Sequence, residues 1–175
     1  MIAKRARKKV YIGLSADILH EGHINIIKTA SKLGEVIVGL LTDKAISSYK
    51  KLPHLNYKQR EIVLKNIRYV QKVIPQKTLD YRSNLHLIKP DFVVHGDDWK
   101  TGIQKKVRSQ VINTLKKWGG KLIEPKYTKD ISSTMLRNNI LKVGTSPDNR
   151  KLRLRRLMEA KDLVRVLESH SALTG

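Results

Sequence analysis

Ser15-Ala16-Asp17-Ile18-Leu19-His20-Glu21-Gly22-His23 lies between the apolar run Val10-Tyr11-Ile12 and a segment with apolar residues at Ile24, Ile26, Ile27, Ala30 and Leu33. A strand that turns into a helix aims the unpaired N–H groups of the first helical turn at the space above the strand's C-terminal end, which makes that space an anion site. Gly22 leaves room for a phosphate beside the backbone, and imidazoles three positions apart near a helix start can point into the same space. His20 and His23 are therefore candidates to act on a phosphate. The pattern also suits two surface histidines or two ligands of a metal, although no cysteine or third clustered histidine is available to complete a zinc site.

Outward from this stretch, residues 9–15 read as a buried first strand and 22–33 as a helix closed by Gly34. Residues 35–42 are a near-continuous apolar run, the mark of a central parallel strand covered on both faces. Residues 44–53, with Ser47, Ser48, Lys50 and Lys51, read as a polar, mobile loop. Asn56 then caps a helix whose apolar side carries Ile62, Val63, Ile67 and Val70.

Lys72-Val73-Ile74 and Pro75 mark a short third strand, and a helix over 80–89 buries Leu85, Leu87 and Ile88. Residues 92–95 form a fourth strand. Ile103, Val107, Val111 and Leu115 recur every four residues as a helical stripe that stops at Gly119-Gly120, before a short fifth strand at 121–123. Ser132 or Ser133 opens a further helix. Strands alternating with helices predict an α/β fold, an open five-stranded parallel Rossmann-like sheet with right-handed crossovers, whose ligands bind at the carboxyl edge where strand order reverses.

The chain divides into a basic tail (1–9), one domain (10–144), and a linker with a following segment (145–175). In that last part Leu152, Leu154, Leu157, Met158, Leu163, Val164, Val166 and Leu167 have helical spacing and no strand to follow. This C-terminal helical extension either packs back on the sheet or forms a dimer arm.

The 175 residues and 40% hydrophobic content suffice for one core. Zero cysteines exclude disulfides and thiolate metal sites and fit a reducing cytoplasm. No apolar run approaches the roughly 18 residues of a membrane span, so a soluble, cytoplasmic protein without a membrane partner is expected. The net charge of +21 asks for an anionic partner. Part of that charge is local, in Lys4 to Lys9 and in Arg150 to Arg156. Aromatics at 5% supply no stacking platform for single-stranded nucleic acid, which argues against a specific nucleic-acid partner.

Four motifs carry a family resemblance in order: His20-Glu21-Gly22-His23, Tyr57-Lys58-Gln59-Arg60, Gly96-Asp97-Asp98-Trp99 and Ile131-Ser132-Ser133-Thr134. Together they resemble the H-x-G-H nucleotidyltransferases, and within them the glycerol-3-phosphate cytidylyltransferase-like enzymes. The resemblance implies transfer of CMP from CTP to a small phosphate or phosphonate acceptor, with magnesium as cofactor, pyrophosphate as product and a homodimer as the assembly. It implies catalytic roles for His20, His23 and Lys51. Nucleotide contacts are implied at Ser15, Ala16, Gly22, Gly96, Asp98, Tyr127, Ile131, Ser132, Ser133 and Thr134, and acceptor contacts at Lys50 and Arg82. Asp17 either orients magnesium or caps its turn, and no residue is assigned as a metal ligand. Trp99 is expected to pack under the base.

The family's arginine-threonine-x-glycine preface is Tyr127-Thr128-Lys129-Asp130 here, a departure that leaves base and acceptor preference open. ATP is the alternative nucleotide, and a basic, non-catalytic binding module the alternative class. Residues 154–175 also resemble the opening of phosphoenolpyruvate mutase domains, which implies a fused mutase and favours 2-hydroxyethyl- or 2-aminoethylphosphonate as the acceptor over glycerol 3-phosphate.

Overall fold

The computed structural model of the chain describes residues 7–100, 104–126, 128, 132, 133, 135, 136, 147–161 and 163–165. Tyr127, Ile131 and Thr134, expected at the nucleotide, lie outside them. Among the described residues the elements are β1 (Lys9–Leu14), α1 (Glu21–Ser31), β2 (Glu35–Leu41), α2 (Asp43–Ser47), α3 (Tyr57–Lys65), β3 (Lys72–Gln76), α4 (Arg82–Ile88), β4 (Phe92–Val94), α5 (Lys105–Leu115), β5 (Lys121–Ile123) and α6 (Pro147–Ala160). Short 3₁₀ turns at Asp97–Lys100 and Lys116–Trp118 flank α5.

All strands pair in parallel in the order β3-β2-β1-β4-β5. The order reverses between β1 and β4, so the ligand crevice of this α/β sheet opens above Leu14 and Val94. Successive side chains of a strand face opposite ways, and β1 sorts its residues accordingly. Val10 and Ile12 join Ile27, Ala30 and Leu64 in one core, while Tyr11 joins Tyr81, Leu85, Trp99, Val111 and Leu115 in the other. Helices α1 and α3 thus cover one face, and α4 and α5 the other. No helix among the described residues is long and apolar enough to cross a membrane.

Several local expectations change. Where a loop is expected, Asp43–Ser47 is helical: Thr42 Oγ1 accepts from Ala45 N–H at 3.2 Å, and Ala45 and Ile46 bury against Leu41. The cap and the apolar pair outweigh the polar composition around them. On α3 the inward residues are Arg60 and Leu64, while Ile62 is 61% and Val63 43% exposed. On α4 Leu85 is buried but Leu87 is 80% exposed.

Pro75 lies inside β3, which an edge strand tolerates, and the strand runs on to Gln76. Gly34 closes no helix by a left-handed turn; a Cβ there would meet the carbonyl of Lys8 at 2.0 Å, so close chain approach requires it. Gly119, at φ +77°, is the left-handed stop expected after α5.

Helix α6 packs back on the domain. Arg156 donates to the carbonyls of Pro53 (3.0 Å) and His54 (2.5 Å), and the Ser47 hydroxyl lies 3.1 Å from the Ala160 carbonyl.

Candidate active site

Two imidazoles cap α1. His20 is the N-cap residue, and its Nδ1 accepts from Gly22 N–H at 3.2 Å; His23 Nδ1 accepts from His20 N–H at 3.4 Å. This is a capping box built from histidines in place of the usual hydroxyl and carboxamide. A ring nitrogen that accepts cannot carry the proton, so each neutral ring holds its hydrogen on Nε2. The rings lie 4.1 Å apart, centroid to centroid, and both line a cavity of about 380 Å³ above the strand ends.

Burial lowers the pKa of both histidines. For His23 the value falls to about 4, chiefly through burial, with the nearby charges of His20 and Lys50 adding to it. At neutral pH the pair is uncharged, and each ring offers one N–H donor. Because folding favours the neutral ring, this stability is fully present above about pH 6.5 and is lost as pH falls toward 4. The His23 contribution to that loss is on the order of 3 kcal/mol by pH 4. Denaturant unfolding at pH 7 and pH 4.5 is expected to show a steeper acid loss in the wild type than in His23→Gln, and equal losses in the two would contradict this account.

The turn before α1 is strained and anchored. Ala16 has φ +48°, an unusual value for alanine, and is buried. Asp17 is 5% exposed, and its Oδ1 accepts from the N–H groups of His54 (2.5 Å) and Leu55 (3.3 Å). Through Oδ1, Asp17 ties the turn to the chain before α3.

Arg60 performs the matching task from the other side. It is fully buried, and its guanidinium donates to the carbonyls of Ser15 (2.6 Å), Leu41 (2.9 Å) and Leu55 (3.1 Å) and to Asp43. One side chain thereby joins the ends of β1 and β2 to the starts of α2 and α3.

Of the residues expected at the nucleotide, Ser15, Gly22, Gly96, Asp98, Ser132 and Ser133 line the cavity, while Ala16 lies beneath it. Ser132 opens a helical turn, with Met135 N–H donating to its Oγ at 3.1 Å and Leu136 N–H to its carbonyl at 3.0 Å. Lys50 reaches the cavity, with Nζ 3.1 Å from Ser15 Oγ. Lys51 lines a neighbouring groove beside α6, and Lys50 lines both spaces. Arg82 pairs with Asp80 outside the cavity. Trp99 is 1% exposed, its Nε1 donates to Glu124 at 2.7 Å, and His95 stacks on it at 3.8 Å. It is a core residue and not a platform for a base.

His95 is a cavity residue that the sequence reading missed. It stands directly after β4, at the strand-order reversal, and its Nδ1 lies 2.8 Å from the Gly96 carbonyl. That contact requires a donor, so Nδ1 carries the hydrogen and Nε2 is left as an acceptor. Burial lowers its pKa as well. A polar residue ending an apolar strand at the carboxyl edge is the signal that could have found it. Tyr49, Tyr81, Asn25, Lys126 and Thr128 complete the walls.

Among the described residues no three carboxylate, imidazole or thiol groups cluster closely enough to hold a metal ion, and Asp17 is turned toward backbone N–H groups. The cavity instead offers N–H, hydroxyl and ammonium groups, a set that suits phosphate oxygens.

Residues 11–139 match the sequence model of the Cytidylyltransferase-like family. The glycerol-3-phosphate cytidylyltransferase of Bacillus spizizenii is 37% identical over 95 residues, which span 53% of this chain and 74% of that protein. The ethanolamine-phosphate cytidylyltransferase of Dictyostelium discoideum is 30% identical over 138 residues, 76% of this chain and 36% of that protein. Among solved structures, the lipopolysaccharide core biosynthesis protein from Thermoplasma volcanium GSS1 superposes with a TM-score of 0.61 at 24% identity, over 71% of this chain and 100% of that one, a likeness of fold. With His20, His23, Gly96, Asp98 and Ser132 around one cavity of a 3-2-1-4-5 sheet and three quarters of its length matched, this chain belongs to the cytidylyltransferase-like family.

Proposed function

We propose that the protein transfers the cytidylyl group of CTP to an oxygen of a small phosphonate or phosphate acceptor. The acceptor oxygen forms a new bond to the α-phosphorus, the bond to the β-phosphate breaks, and pyrophosphate leaves with the electron pair. The observation that carries this reading is the pair of neutral imidazoles at the start of α1, each fixed through Nδ1 and left with an Nε2 donor, in one cavity with Lys50. Such a reaction needs no nucleophilic side chain. It needs donors and positive charge placed where the α-phosphate and the leaving oxygen gain charge.

In this reading His20 and His23 donate to those oxygens, helped by the N–H groups of α1, and Lys50 acts as a point charge between nucleotide and acceptor. Ser132 and Ser133 serve the outer phosphates. His95 and Asp98 supply acceptors for the exocyclic amine of the base. Magnesium, brought with CTP as part of the substrate, would add positive charge to that supplied by Lys50 and the donors of the cavity.

For the acceptor we favour a phosphonate such as 2-hydroxyethyl- or 2-aminoethylphosphonate. The support is the likeness of residues 154–175 to the opening of phosphoenolpyruvate mutase domains and the altered preface at 127–130. Glycerol 3-phosphate is the second reading, favoured by the 37% identical relative. Pyrophosphate release is expected with CTP in the presence of magnesium and a phosphonate, and at least tenfold less with ATP. A specificity constant tenfold higher for glycerol 3-phosphate, about 1.4 kcal/mol of transition-state discrimination, would transfer the assignment to that acceptor.

A further inference from the structure

Beyond Lys50 the cavity adjoins a second groove of about 460 Å³, and the two share Tyr49 and Lys50 as walls. This groove runs between the end of α2 and α6. Its charged lining is Lys50, Lys51, Arg153 and Lys161, and no carboxylate lines it among the described residues. Arg153 and Leu157 share one face of α6, and Lys161, just past its end with its N–H on the Leu157 carbonyl at 3.1 Å, continues the four-residue spacing. The face is held in place: Arg156 clamps the carbonyls of Pro53 and His54, and the Ser47 hydroxyl meets the Ala160 carbonyl. The family motifs include neither Arg153 nor Lys161, and both lie beyond the matched residues 11–139.

An acceptor oxygen must approach the α-phosphorus opposite the leaving pyrophosphate. With the nucleotide phosphates over the start of α1 and beside Ser132 and Ser133, Lys50 stands at the junction of the two spaces. We infer that the acceptor's phosphate or phosphonate docks at Lys50 with its tail in the α6 groove, so that the groove selects an acceptor whose far end carries no positive charge. This inference rests on the cytidylyl-transfer reading above and narrows it. Arg153 and Lys161 repel an ammonium tail and accept a hydroxyl or an anionic one. Of the two phosphonates named, it chooses 2-hydroxyethylphosphonate.

That compound and 2-aminoethylphosphonate match in length and differ in the charge of the tail, which makes them the probe pair. At saturating CTP the specificity constant of the full chain is expected to be at least tenfold higher for the hydroxyl compound, and higher still for 3-phosphonopropionate than for the amine. Arg153→Glu and Lys161→Glu should each raise the constant for the amine relative to the hydroxyl compound by about threefold or more. Arg153→Gln provides a milder variant should the charge reversals fail to fold. Equal or better use of the amine by the wild type, with pyrophosphate released from both compounds, overturns the groove's role and leaves the functional reading standing. The groove's role is likewise overturned if the variants shift KM for CTP instead of KM for the acceptor. If no phosphate or phosphonate tested supports release from CTP, the functional reading fails and this inference with it.

Discussion

His20→Asn is expected to lower turnover by roughly 10²- to 10³-fold while leaving the fold intact. Asparagine is among the strongest N-cap residues, so its carbonyl can take over the acceptor role that Nδ1 plays toward Gly22 N–H. What it cannot supply is the Nε2 donor at the far edge of the ring. The variant therefore separates the two tasks that one imidazole performs. His20→Ala removes both, and the lost cap costs about 1 kcal/mol, or a few degrees of melting temperature. From the sequence alone, alanine at either histidine is expected to leave stability nearly untouched, and the capping box corrects that expectation. Steady-state rates and thermal melts of the two variants, measured side by side, provide the check. Near-normal turnover in His20→Asn would show that the ring is a cap and nothing more.

What was legible in the sequence depended on how directly a residue type reports its surroundings. The sheet was legible because apolar runs such as Val36 to Leu41 fit little else than a strand covered on both faces, and these residues are buried as that predicts. The histidine pair was legible because Gly22 and a strand-to-helix turn surround it. Which of Lys50 and Lys51 reaches the cavity was not, since the orientation of each depends on the single turn of α2 inside a stretch of polar composition. Trp99 reads equally well as a stacking platform or a core residue, and only its neighbours, His95 above and Glu124 at its N–H, decide for the core. The role of α6 is legible only in three dimensions, because Arg156 acts on carbonyls about a hundred positions away.

Arg60 stands out in the sequence as the end of the Tyr57-Lys58-Gln59-Arg60 motif but not as a buried residue, and Arg60→Met is expected to destabilise the protein by about 3–5 kcal/mol. An arginine on an amphipathic helix ordinarily lies at the surface, yet this one is fully buried at the junction of four elements. A buried ion pair can often be exchanged for apolar residues at little cost if both partners are replaced together. Here three of the four acceptors are main-chain carbonyls, of Ser15, Leu41 and Leu55, and no substitution removes them. Methionine would fill much of the volume but leave those carbonyls without the guanidinium, whereas Asp43, 24% exposed, keeps Arg156 at 3.7 Å. At a few degrees per kcal/mol for a chain of this size, the melting temperature should fall by roughly 10 °C. Lysine should recover only part of the loss, because one ammonium cannot span the fork that the guanidinium covers. The Ser15 carbonyl belongs to the turn that leads into the histidine pair, so activity measured well below the melting point should fall as well. An Arg60→Met protein that melts within about 2 °C of the wild type would mean that water or a rearranged Asp43 can replace the guanidinium, and the junction would then lose its place as the anchor of the site.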